Sequence, residues 1–91
     1  MRVARVIGTV TATAKDAQLT GHKLLLCDII DGSGKVLEPS VVAADTCGAG
    51  VGDTVMIVTG SGARMPAGLA GVPIDASIIA IVEHITISKK K

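Results

Sequence analysis

Apolar and polar positions alternate along residues 3–14. Ala4, Val6, Gly8, Val10 and Ala12 fall on one side, and Arg5, Thr9, Thr11 and Thr13 take most of the other. A period of two is the signature of a strand with one buried face. Gly8 within it predicts a sharp bend or a close backbone approach, as at a barrel corner. Residues 15–21 contain Lys15, Asp16 and Gly21 and read as a loop. Residues 22–30 break the alternation, with Leu24, Leu26 and Ile30 on one side and Leu25, Cys27 and Ile29 on the other. A strand apolar on both faces must be covered twice. In so short a chain the second cover is a helix, a loop or another subunit. Asp31-Gly32-Ser33-Gly34 is a turn signal, and residues 35–44 return as a strand. Pro39 in that strand predicts an edge or a bulge, because proline cannot donate to a ladder. A glycine-rich loop follows over 45–53, then a short strand over 54–59. Four glycines and two prolines between 60 and 76 predict a long loop with at most one short helix. Residues 77–87 read as the last strand, with Ile79, Ile81, Ile85 and Ile87 on one face.

Val, Ile and Thr supply 29 of the 91 residues, and β-branched side chains suit strands better than helices. The expected fold class is therefore all-β: a small, five-stranded closed barrel, OB-fold-like, with long glycine-rich loops. Closure removes exposed sheet edges, and five strands are few for a sandwich. Residues 1–88 read as a single β-barrel domain and 89–91 as a basic C-terminal tail.

Composition changes this picture in one respect. Apolar residues make up 48% of the chain, and mean hydropathy is +0.58. A domain this small has too little interior to hide that much apolar surface. A membrane span does not account for it. The longest stretches without Asp, Glu, Lys or Arg are 54–63 and 65–74, each broken by Gly or Pro. A spanning helix needs about 20 apolar residues. Cover by further copies of the chain is the remaining explanation. The net charge is +1, but Lys89, Lys90 and Lys91 hold three of the nine basic groups. Residues 1–88 thus carry six basic against eight acidic groups, a poor footprint for a polyanion. The chain has no Phe, Tyr or Trp on which bases could stack. Residues 6–14 are not the apolar core of a secretory signal, so a reducing cytoplasm is the expected setting.

Few residues invite a chemical role. Gly48-Ala49-Gly50-Val51-Gly52 has neither the Gly-Lys-Ser/Thr of a Walker A loop nor the spacing of a dinucleotide fingerprint. Two readings stand: a tight connection needing positive φ, or a loop that lets several copies approach a symmetry axis. Ser61 has Thr59 and Ala63 where a nucleophile elbow needs glycines. Arg64 is the only basic residue between Lys35 and Lys89. It reads either as solvated or as a forked contact to a neighbouring subunit, with Asp45 and Asp75 as candidate partners. His22, His84, Cys27 and Cys47 match no zinc spacing, and both cysteines read as small hydrophobes. Turn chemistry accounts for most of the aspartates. No catalytic, metal or cofactor site is expected.

Four blocks carry a likeness to a known family. They are Gly8-Thr9-Val10 through Thr13 and Lys15; Leu19 to Leu26; Val42-Ala43-Ala44-Asp45 running into Gly48–Asp53; and Gly60-Ser61, Ala63-Arg64 with Pro73-Ile74-Asp75-Ala76. In this order and spacing the chain resembles the EutN/CcmL family, the vertex proteins of bacterial microcompartments. The departures are small: Cys47, Gly62 and Ser77, and a lysine tail that is no part of the pattern. The resemblance implies a β-barrel that associates with itself as a homopentamer. It implies that the pentamer caps shell vertices, carboxysome or metabolosome, beside hexameric shell proteins. No catalysis, no cofactor, no nucleic acid and no membrane partner would be involved. Together with the glycine argument, it implies subunit-contact or axis loops at Asp45, Gly48, Ala49 and Gly50, and at Gly60, Ser61, Arg64 and Asp75. An OB-type module for single-stranded nucleic acid or a small ligand is the alternative.

Overall fold

The computed structural model of the chain describes residues 1–11, 21–60, 63 and 74–88. The end of the first predicted strand, the loop over 15–20, Ser61, Arg64, most of the 60–76 loop and Lys89–Lys91 lie outside the described residues. The described residues form five strands and no α-helix: β1 (Arg2–Val10), β2 (Lys23–Ile30), β3 (Val36–Asp45), β4 (Thr54–Thr59) and β5 (Ala76–Val82). They close into a barrel in the order β1-β2-β3-β5-β4. All neighbours are antiparallel except β3 and β5, whose parallel pairing is limited to Ala44 with Ser77 and Asp45 with Ile78.

The interior is filled by the inward residues of every strand. Val6, Leu25, Cys27, Ile29, Val55, Ile57 and Ile78 are all buried in one cluster, joined by Ala4, Ala43 and Ala76. Each large aliphatic side chain placed there contributes about 1.5–3 kcal/mol. Cys27 belongs to this core, and burial pushes its thiol up to about 11, with Asp28 and Asp45 adding to the shift.

Closing so few strands requires bends, and the sequence marks them. The β1–β2 register slips between Val6 and Gly8, where Gly8 was expected to bend the strand. The β2–β3 register slips twice, on either side of Ile29, in the region of Pro39. There Ser40 adopts φ 59°. Its amide, turned out of the ladder, donates to Asp28 Oδ1 at 3.0 Å. Bulges of this kind raise local twist and re-aim the strand. The β2–β3 turn is tied by Asp31. Its Oδ1 accepts from Ser33 N, Ser33 Oγ and Lys35 N at 2.8, 2.6 and 3.0 Å. These bonds favour the charged form and hold the carboxyl below its usual range.

The last strand is shorter than the alternation predicts. It was expected to reach 87 and stops at Val82. The last pair is Val82 with Thr54. Before Thr54 the backbone leaves the ladder, because Asp53 O accepts from Val6 N at 2.9 Å and Gly52 N donates to Val6 O at 2.9 Å. Nothing in β4 remains for residues 83–88 to pair with.

Candidate functional site

The Asp45–Asp53 connection is a built loop. Two aspartates fasten it from either end. Asp45, at the end of β3, has a side chain 1% exposed. Its Oδ1 accepts from Cys47 N at 2.9 Å and its Oδ2 from Ala49 N at 2.8 Å. Asp53 Oδ2 accepts from Gly50 N at 2.8 Å, and Asp53 N donates to Gly50 O at 3.0 Å. Lys23, at the start of β2, donates to Ala49 O at 2.8 Å and lies 3.8 Å from Asp45 Oδ2. Thr46 Oγ1 donates to Ile78 O at 2.7 Å, tying the loop to β5. Gly48 and Gly52 take φ of 77° and 96°, which side chains with a Cβ adopt at a cost. The outcome is one defined shape with Ala49 pinned into the barrel core. Thr46, Cys47, Gly48, Val51 and Gly52 are left on the outside.

The candidate residues divide accordingly. Asp45 and Ala49 act inside their own chain, one as hydrogen-bond acceptor and the other as core. Gly48 is exposed and Gly50 half-buried. Gly60 and Asp75 are brought together, since Gly60 N donates to Asp75 O at 2.8 Å. Ser61 and Arg64 lie outside the described residues. Asp53 and Lys23 were not singled out for the loop. Aspartate beside glycine assigns Asp53 to turn chemistry, and no pattern distinguishes Lys23 from any surface lysine.

A second feature lies on the outside of β1–β3. Register places Gly8, Leu26 and Val42 in one row and Val10, Leu24 and Ala44 in the next. Ala44 is buried with Leu24 and Ile74 in a small second cluster. This is the predicted second cover of β2, supplied in part by the segment that leads into β5. It does not extend to Val42, which is 44% exposed. Ser77, paired in register with Ala44, is fully buried, and its hydroxyl has no hydrogen-bond partner among the described residues. Among the described residues no group of three or more His, Cys, Asp or Glu could hold a metal ion.

The comparisons with known proteins agree with this architecture. A family model described as "Ethanolamine utilisation protein EutN/carboxysome" matches residues 1–83. The carboxysome shell vertex protein CcmL of Synechocystis sp. is 40% identical over 88 residues, covering 97% of this chain and 88% of that protein. The solved structure titled "Carboxysome Subunit, CcmL" is 40% identical, covers 97% of this chain and 92% of its own, and superposes with a TM-score of 0.91. The GrpN pentameric microcompartment shell protein from Rhodospirillum rubrum is 34% identical. It covers 98% of this chain and 100% of its own, with a TM-score of 0.83. With the barrel topology, the fastened loop and this near full-length match in hand, the chain belongs to the EutN/CcmL family of microcompartment shell vertex proteins.

Proposed function

We propose that this chain is a structural vertex protein of a bacterial microcompartment shell, in the cytoplasm, acting as a ring of five copies. The observation that carries this is the match, from end to end, to a pentameric shell protein and to carboxysome vertex proteins. The apolar surplus supports it independently. Outside the buried core, Ile7, Val36, Leu37, Val42, Val51, Ile81, Ile85 and Ile87 are 42–64% exposed. A stable interface buries about 800 Å² per partner, which gives such residues a place.

The function is then geometric. Five wedges closing head to tail introduce curvature into a lattice that hexamers tile flat, and the rim meets hexameric shell proteins. We place the two loops at subunit contacts or near the axis: the outer crest of Asp45–Gly52, shaped by Asp45 and Ala49 and exposing Gly48, and the Gly60–Arg64 segment with Asp75. No enzymatic step, cofactor or nucleic acid enters this reading. Absent aromatic residues and an acidic body support the last of these.

Native mass spectrometry at low micromolar concentration tests the proposal. A pentamer of the 9.1 kDa chain is expected. A monomer would overturn the self-assembly argument. It would turn attention to the OB-type alternative, which binding to a single-stranded oligonucleotide at low salt would then test.

A further inference from the structure

Resting on the pentameric reading, we propose that the ring closes by one specific head-to-tail contact: the segment over 81–87 of one copy docks on the outer β2–β3 face of the next. Cyclic rings need a heterologous interface, hence two different surfaces on each copy that fit each other. Among the apolar surfaces that the described residues leave incompletely covered, two are suited to meet each other. The first is the row of Leu26 and Val42 on the outside of β2 and β3. The second is β5 with its continuation, where Ile81, Ile85 and Ile87 are 42%, 43% and 57% exposed.

The continuation is written as a strand and is not used as one. His84, Thr86 and Ser88 alternate with Ile85 and Ile87, the pattern of a segment with one face to be buried. In the single chain, residues 84–88 belong to no strand, and all are exposed. They leave the barrel where β4 has no more residues to offer. Ile87 stays near the β2–β3 turn, its Cδ1 lying 3.6 Å from the point where a Cβ on Gly32 would sit. The far end of the segment therefore lies beside the β2–β3 turn.

Docking it satisfies both surfaces at once and explains why β2 is apolar on its outer side beyond the reach of Ile74. The occupant is a second copy because the pentameric relative is matched over 98% of this chain, which extends beyond the barrel strands. The contact is made by Ile81, Ile85 and Ile87, with Glu83 as the one charged residue in the same alternation and His84 and Thr86 on the opposite side.

Two variants of the full chain test it by native mass spectrometry. One is Val42→Asp, altering the face. The other is the pair Ile85→Asp and Ile87→Asp, altering the segment outside the barrel. Each is expected to weaken the junction about a hundredfold, as loss of a central apolar anchor does, and to run as monomer where the wild type is a pentamer. Mixed, with one isotope-labelled, they should form a 1:1 heterodimer and nothing larger. Only one junction then has both surfaces intact. Heterodimer formation also shows that both variants are folded. Pentamers from either variant alone would overturn the proposal while leaving the vertex reading in place. Monomers that fail to pair on mixing would do the same. A monomeric wild type would sink both.

Discussion

At the scale of single residues, the chain's polar groups serve the shape of its backbone. Asp45 is the clearest case. A carboxylate that is 1% exposed, with two amides and a lysine as partners, is costly to remove. Asp45→Ala should destabilise the fold by about 2 kcal/mol, the range for hydrogen bonds to a charged group, in a urea melt. Ser77 is the opposite case. Its hydroxyl is buried without a partner among the described residues, which leaves its desolvation uncompensated there. Ser77→Ala should leave stability unchanged or raise it by about 1 kcal/mol. A clear loss would mean that the hydroxyl is bonded after all. Cys27 has a pH consequence. Its folded thiol is raised from 9.0 to about 11, so the folded state resists ionisation more than the unfolded chain. The associated stability is complete below pH 9 and is lost as pH rises towards 11. Cys27→Ala should flatten that part of the stability–pH curve, read by thermal melts between those limits.

At the scale of elements, period and turn chemistry were legible, and the limits of pairing were not. β4 matches its predicted span, β2 starts one residue later than predicted, and β3 is displaced by one residue at both ends. Gly8 and Pro39 each announced irregular pairing because each disturbs a ladder in a known way. The end of β5 was not legible. Alternation over 77–87 states what a segment could do, whereas pairing depends on where β4 begins, and that is set by the hydrogen bonds of Asp53 and Val6. The loop over 45–53 was legible as a loop from its glycines. The fastening by Asp45 and Asp53 was not, since aspartate beside glycine is ordinary turn chemistry. Nor was the burial of Ala49, which a small residue in a glycine run does not advertise. The loop's conformation gives its own prediction. Gly52 sits at φ 96°, and a Cβ there would meet nothing within 4 Å. Gly52→Ala therefore isolates backbone strain and should cost about 1–2 kcal/mol in chemical denaturation, with no steric clash to confuse it.

At the scale of the whole molecule, the question is how a barrel this small stays folded with so much apolar surface outside. Its interior is built largely of aliphatic side chains, with no aromatic residue anywhere in the chain. Assembly resolves this, since burying the exposed isoleucines and valines between copies adds the area that a short chain cannot bury alone. Folding and association are then linked, and stability depends on concentration. For five chains that unfold and separate together, each tenfold rise in protein adds about 1 kcal/mol per protomer. In a domain of this size that is about 4–8 °C in melting temperature. Differential scanning calorimetry from low to high micromolar chain concentration should show this rise. The monomeric Ile85→Asp, Ile87→Asp double variant should melt lower and at a temperature independent of concentration. A wild-type melt that does not move with concentration would mean that the barrel is stable by itself, and the exposed apolar residues would need another explanation.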